Sequence, residues 1–184
     1  MPVVVSLLRG INVGGHHLIG MAALREVYES LGLADPRTYL QSGNVVFRAK
    51  ERNLACLGAR IEAAIEQAFG FHVAVVLRTA EELRDAIARN PVAARSGIDA
   101  RRLAVTFLAA EPTAAIREKV LALRAEPEEL WLDGREMFIY FPNGFSGAKL
   151  SMPAVERALA MPATSRNWNT VTKLLELAEQ VREG

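Results

Sequence analysis

The chain has 184 residues, of which 51% are apolar and 23% are charged, with 22 Lys and Arg against 21 Asp and Glu. A chain of this size buries about 70% of the surface of its unfolded form, and its composition excludes a disordered, collagen-like or disulfide-stabilised protein. The net charge of +1 excludes a general basic field for nucleic acid or anionic lipid, so a charged partner must be bound by a local patch.

Cysteine content and hydropathy indicate a cytoplasmic protein without a membrane partner. The single Cys cannot form an internal disulfide, which fits a reducing compartment. The longest apolar runs, such as the one from Val3 to Leu8, are far shorter than the roughly 20 residues of a membrane span. The N-terminus also lacks the basic and apolar regions of a signal peptide.

The first 79 residues alternate between strand and helix patterns. Val3 to Leu8 is a β-branched and apolar run, which is typical of a strand buried on both faces. Apolar residues from Met21 to Leu31 recur at helical spacing. The full set of predicted elements is a strand at 3–8, a helix at 21–31, hairpin strands at 38–41 and 44–47, a helix at 54–68 and a strand at 71–77. This order is that of the split βαβ, or ferredoxin-like, unit.

The second half begins the same pattern again. Thr79 and Glu82 form a capping box, which predicts a helix that ends before Pro91. The later predicted elements are a strand at 103–108, a helix at 112–123, hairpin strands at 130–132 and 136–141, a short helix at 154–160 and a long helix from about 166 to 182. We expect no closing strand in this half.

The predicted fold class is therefore α+β, with two ferredoxin-like halves built on antiparallel sheets and the second half ending in extra helices. The halves comprise residues 1–79 and 80–184. No long linker separates them, so we expect them to pack as one unit.

Three segments resemble a bacterial family of domains of unknown function. They are an RGINVGG segment at 9–15, a QSGNVVF segment at 41–47 and a TSRNWNT segment at 164–170. The resemblance covers essentially the whole chain and implies a repeated ferredoxin-like fold, but it implies no established activity. Family members tend to have a Lys after the paired glycines, whereas this chain has His16 and His17.

Arg166 makes the third segment the most informative about function. If the last helix begins there, with Thr164 or Ser165 as its N-cap, the cation opposes the positive end of the helix dipole. A bound phosphate or carboxylate would reverse that penalty and would use the Arg fork and the amides of Asn167 and Asn169. The alternative is that Arg166 pairs with a structural acid and that both Asn side chains stabilise a turn.

The other segments add further donors. Arg9 and Asn12 lie where the first strand ends, but their glycine spacing matches neither a Walker A loop nor a dinucleotide fingerprint. Gln41 and Asn44 flank the hairpin tip, and Lys149 lies in a glycine-containing loop. Each of these residues has an alternative interpretation as a turn residue or a solvated side chain. The predicted ligand-binding set is Arg9, Asn12, Gln41, Asn44, Lys149, Arg166, Asn167 and Asn169.

Three functional hypotheses follow. The first is a pocket for a small anionic ligand, which favours binding or charge stabilisation because the set contains donors but no evident general base. The second is single-stranded nucleic-acid binding on a sheet face, although the strands carry few aromatic residues. The third is an assembly protein, including a homo-oligomer, that pairs through strand edges.

Known catalytic patterns are poorly represented. Adjacent histidines cannot share a helix face and no further ligand pattern accompanies them, so we expect no metal. Cys56 lies in a helical pattern without a neighbouring base, and no GxSxG motif occurs. We expect no cofactor, and the sequence leaves open whether the protein is an enzyme.

Overall fold

The computed structural model describes residues 1–183, which divide into two compact units. The first unit is Met1–Asp85 together with the chain from Lys173 onward, and the second is Ala86–Thr172. Each unit contains one four-stranded antiparallel sheet with flanking helices. This architecture confirms the predicted α+β class with two split βαβ halves.

The first unit follows the predicted order of elements. They are β1 (Val3–Leu8), α1 (Met21–Ser30), β2 (Ala34–Tyr39), β3 (Asn44–Arg48), α2 (Leu54–Phe69) and β4 (Val75–Thr79). The sheet order is β2-β3-β1-β4, so β1 and β3, which precede α1 and α2, lie side by side in its centre. Both faces of β1 are buried, as its continuous apolar run predicts.

One face of this sheet and the two helices form a hydrophobic core. Because side chains alternate along a strand, Val4 and Leu8 of β1 contact the same layer as Phe47 of β3. The helices contribute residues at helical spacing, namely Leu24, Val27 and Tyr28 from α1 and Leu57, Ile61 and Ile65 from α2. The Tyr28 and Phe47 rings meet edge to face at 5.2 Å.

The predicted capping box at Thr79 and Glu82 is confirmed. The Thr79 N–H donates to the Glu82 carboxylate at 2.9 Å, and the Glu82 N–H donates to Thr79 Oγ1 at 3.1 Å. These reciprocal bonds satisfy two donors at the start of α3 (Ala80–Ala88).

The second unit repeats the topology of the first. Its elements are a 3-10 turn (Ala100–Arg102), β5 (Leu103–Leu108), α4 (Ala114–Leu121), β6 (Glu129–Asp133), β7 (Glu136–Tyr140), α5 (Met152–Leu159) and β8 (Ala163–Asn167). The sheet order is β6-β7-β5-β8, which corresponds strand by strand to that of the first unit. The last helix, α6 (Trp168–Glu183), begins directly after β8.

The expectation that the second half lacks a closing strand is wrong. β8 pairs antiparallel with β5 and places Arg166 opposite Val105. Thr164 and Ser165 resemble a helix N-cap in sequence, but the ladder to β5 satisfies their backbone groups, so α6 begins at Trp168 rather than at Arg166. Local propensity was outweighed by non-local strand pairing.

Candidate functional site

Asn12 organises the loop between β1 and α1. Its side-chain NH2 group donates to the carbonyls of Ile19 at 3.0 Å and Gln41 at 2.8 Å, and its Oδ1 accepts the Ile19 N–H at 2.9 Å. The residue has a φ of 55°, a conformation that Asn tolerates better than most residues. Asn12 therefore connects the first and second motif segments through backbone contacts.

The hairpin tip is held by Asn44, which is fully buried. Its NH2 group donates to the Tyr39 carbonyl at 2.7 Å and to Ser42 Oγ at 3.0 Å. The carbonyl of Gly43 accepts the Leu8 N–H at 2.8 Å, so the tip is also fastened to β1. The side chain of Gln41 is exposed, unlike that of Asn44.

Arg9 lies at the end of β1, where its backbone N–H donates to the Ala74 carbonyl at 2.9 Å. The residue is exposed. Arg9 and Gln41 are the exposed members of the predicted set in the first unit. The side-chain amides of Asn12 and Asn44 form hydrogen bonds within the protein.

Arg166 lies on β8 and is 7% exposed. Its Nη1 donates to Thr164 Oγ1 at 2.7 Å and to the Ser165 carbonyl at 2.9 Å. Burial lowers the pKa of the Arg166 guanidinium to about 10. Because the residue is in a strand, the argument from the helix dipole does not apply to it.

Asn167 forms the junction between β8 and α6. Its NH2 group donates to the Arg101 carbonyl at 2.9 Å, and its Oδ1 accepts the Asn169 N–H at 3.0 Å. These contacts match the turn-stabilising alternative considered from the sequence. Asn169 itself is exposed on the first turn of α6.

Lys149 lies in a different loop of the second unit, where the Glu128 carboxylate already receives two backbone donors. One Glu128 oxygen accepts the N–H groups of Lys149 and Leu150, each at 3.0 Å. Glu128 is 6% exposed, and Lys149 is exposed. The backbone N–H groups of Lys149 and Leu150 are thus already bonded to the carboxylate of Glu128.

Within each unit, several of the predicted residues are neighbours. Asn12, Gln41 and Asn44 meet around the hairpin tip of the first unit. Arg166, Asn167 and Asn169 are neighbours at the β8–α6 junction of the second unit.

A pocket in the second unit gathers three arginines that the sequence analysis did not select. It has a volume of about 290 Å³ and lies beside the edge strand β6. We call it the arginine pocket. Its lining consists of Arg89, Pro91, Arg117, Leu121, Arg124, Trp131, Leu132, Asp133 and Phe138.

Two of these guanidinium groups are oriented by partners within the protein. Arg89 donates to Asp133 Oδ2 at 2.7 Å and to Glu136 Oε2 at 2.6 Å, and Arg117 donates to the Leu132 carbonyl. Partial burial acts to lower the pKa of Arg89, but its hydrogen bonds to these carboxylates raise that pKa above the usual value. Arg124 is exposed and forms no ion pair with a residue in the range 1–183.

A sequence signal for this pocket does exist. Arg117 lies on α4 and Arg124 follows the end of this helix. Both therefore precede the turn that leads to β6, the edge strand that carries Trp131. The link to Arg89 requires the fold, because Arg117 lies 28 positions after Arg89 in the chain.

Among residues 1–183, no group of three or more His, Cys, Asp and Glu side chains is placed to hold a metal ion. Within that range, no helix has the length and apolar content needed to cross a membrane.

Comparisons with known proteins place the fold in context. The structure resembles that of a conserved bacterial protein, SP0830, from Streptococcus pneumoniae, with a TM-score of 0.72 and 23% sequence identity. That likeness covers 96% of this chain and 98% of the other, and it concerns the fold. A search of curated proteins gave no match. The profile of a family described as a protein of unknown function, DUF1697, matches residues 1–138, and the chain belongs to this family.

Proposed function

We propose that the protein binds a small anionic ligand of the phosphate or carboxylate type in the arginine pocket. The observation that carries the proposal is the presence of Arg89, Arg117 and Arg124 around one cavity of about 290 Å³. A guanidinium group offers a planar fork of donors that matches the oxygens of phosphate and carboxylate. Asp133 is the single acid in the lining and Glu136 also pairs with Arg89, so one positive charge remains in excess at the cavity.

The three arginines have different parts in this proposal. Arg89 and Arg117 are held by contacts within the protein, which orients their remaining N–H groups at little entropic cost on binding. Arg124 is exposed and supplies the donor fork that is free to turn toward a ligand. Binding in this form needs no general base, so the proposal is for a binding site and not for a particular reaction.

Within each unit taken by itself, the motif residues remain further proposed contacts for a ligand of the same class. Arg9 and Gln41 of the first unit and Lys149 and Asn169 of the second are exposed. Asn12, Asn44, Arg166 and Asn167 act in this proposal as supports, because each bonds to neighbouring groups of the protein.

The nucleic-acid and assembly alternatives receive less support. β1 and β3 are buried, and Phe47 is 0% exposed, so these two central strands offer no accessible ring for stacking a base. The edge strand β2 carries Pro36 and a register shift, both of which hinder pairing with another strand. The carbonyls of Leu132 and Asp133 on edge strand β6 accept hydrogen bonds from arginines.

The correspondence between the units supports a broader proposal. Arg78 on β4 and Arg166 on β8 occupy equivalent ladder positions, opposite Val5 and Val105, and both are buried. We infer that the halves arose by duplication.

We also propose a cytoplasmic location, because a chain with a single Cys cannot form an internal disulfide and so fits a reducing compartment.

A thermal-shift experiment tests the binding proposal. Inorganic phosphate, citrate and sulfate are added to the wild type, to Arg124→Gln and to the matched control Arg182→Gln, an exposed arginine on α6. A ligand at 100 times its Kd adds about 2.7 kcal/mol of stability, and each kcal/mol raises the Tm of a chain this size by about 2–4 °C. We expect one anion to stabilise the wild type and the control but not Arg124→Gln. Equal shifts in all three proteins would place binding elsewhere.

A further inference from the structure

Trp131 and Arg124 line the arginine pocket and also a second, larger pocket. This second pocket has a volume of about 600 Å³. Besides the two shared residues it is lined by Glu126, Pro127, Glu128, Glu129 and Leu130. The two cavities that share Trp131 therefore differ in charge, since one is lined by three arginines and one aspartate and the other by three glutamates and one arginine.

The three glutamates of this second pocket are not equivalent. Glu128 is buried and accepts the two backbone N–H groups described above. Glu129 holds Arg95 through two contacts of 3.0 and 3.1 Å. Glu126 is exposed, which leaves its carboxylate as the acceptor most accessible to a ligand.

The indole of Trp131 is held in place from one side. The guanidinium carbon of Arg95 lies 5.5 Å from the centre of the indole ring, and Glu129 anchors that guanidinium. Trp131 is half-buried and lies on the edge strand β6. A fixed, partly exposed indole is a suitable surface for stacking a flat ring.

We infer that the anionic ligand carries a flat, amino-bearing ring and is of the nucleoside monophosphate type, an inference that rests on the proposed function. Its phosphate binds at Arg117 and Arg124, its ring stacks on Trp131, and its exocyclic amino group donates to Glu126. The pattern of a cationic cavity, a shared aromatic ring and an acidic cavity matches the order of chemical groups along such a molecule.

Titration calorimetry of the full chain with adenosine 5′-monophosphate, adenosine and inorganic phosphate tests the inference. We expect the monophosphate to bind about 10-fold more tightly than phosphate, the gain typical of stacking one base. The protein has two Trp residues, so a Trp168→Phe background reports on Trp131 alone. In that background the monophosphate should quench fluorescence more strongly than phosphate does.

Two variants, Glu126→Gln and Trp131→Leu, test the contact with the amino group and the contact with the ring separately. Glu126→Gln should weaken binding of the monophosphate several-fold and leave phosphate binding unchanged, whereas the control Glu111→Gln, at another exposed acid, should alter neither. Trp131→Leu should reduce affinity for the monophosphate to that for phosphate. If Trp131→Leu fails to fold, Glu126→Gln and the quenching experiment still decide the question.

The outcomes distinguish this inference from the proposed function. Equal affinities for the monophosphate and phosphate, without quenching, would overturn the inference and leave the anion site intact. Failure of both compounds to bind would overturn the inference and would contradict phosphate as the ligand of the proposed anion site. Tight binding of the monophosphate that neither variant weakens would overturn the role given to Trp131 and Glu126.

Discussion

The side-chain amide of Asn12 donates a 2.8 Å hydrogen bond to the backbone carbonyl of Gln41 and thereby joins the loop after β1 to the hairpin tip. The same side chain bonds twice to Ile19, so three hydrogen bonds depend on one residue. This contact explains an Asn at a position where the sequence alone also permitted a ligand-binding role.

Replacement of Asn12 should destabilise the first unit. Asn12→Ala removes the three hydrogen bonds and places Ala at a φ of 55°, which together cost about 2–4 kcal/mol. The matched variant Asn12→Gly loses the same bonds without the backbone strain, so it should lose about 1 kcal/mol less. Urea unfolding measures both effects, and a midpoint for Asn12→Ala equal to that of the wild type would rule out this role.

Gly43 should be far less tolerant of a side chain than Gly15. Both have a positive φ, 79° and 77°, but a Cβ at Gly43 would lie 2.7 Å from Ile11 Cδ1 and 2.8 Å from Leu8 Cβ. Nothing lies within 4 Å of a Cβ at Gly15. We expect a loss of about 1 kcal/mol for Gly15→Ala and of about 2–4 kcal/mol for Gly43→Ala in chemical unfolding. Equal losses would show that the hairpin tip relaxes around the added methyl group.

Glu128 should stabilise the loop that contains Lys149. Glu128→Ala leaves the N–H groups of Lys149 and Leu150 without their acceptor, which costs about 2–4 kcal/mol for this buried residue. Glu128→Gln keeps an acceptor oxygen and should lose less. Amide hydrogen exchange locates the effect, because the Lys149 and Leu150 amides should exchange faster in Glu128→Ala. Unchanged protection of both amides would contradict the assignment.

Tyr28 should make stability fall at alkaline pH. Burial, the dominant effect, raises the pKa of the Tyr28 hydroxyl well above its usual value, while the hydrogen bond with Ser6 acts in the opposite direction. Above about pH 10 the unfolded state therefore releases the Tyr28 proton while the folded state retains it, so the free energy of unfolding decreases as pH rises.

A comparison with Tyr28→Phe isolates this effect. The wild type should lose up to about 1.4 kcal/mol per pH unit more than the variant above pH 10, when urea unfolding is measured at several pH values. Parallel pH profiles for the two proteins would show that Tyr28 ionises normally in the folded state.

Most of the fold followed from periodicity and capping, whereas β8 did not. The apolar run of β1, the helical spacing of α2 and the reciprocal cap at Thr79 are local signals, and local signals can be read without knowing the fold. β8 contains Thr164, Ser165 and Arg166, and its strand character comes from pairing with a strand about 60 residues earlier.

The candidate site was harder to predict for a related reason. Asn12 and Asn167 were selected because amides are common ligand groups, but the same groups also satisfy backbone atoms in loops, and the sequence did not separate these roles. Arg89 and Arg124 were not predicted as ligand-binding residues, because isolated arginines are usually solvated. Arg89, which follows α3, reaches the cavity through its bonds to Asp133 and Glu136, and Arg124 reaches it because α4 packs against β6.

NMR titration of the arginine side chains with inorganic phosphate tests anion binding in the arginine pocket most directly. The Nε–Hε signals of Arg89, Arg117 and Arg124 should shift together and give one dissociation constant, while the signal of the exposed Arg182 stays constant. Shifts that are absent from these three arginines, or spread evenly over all exposed arginines, would contradict a specific anion site in this pocket.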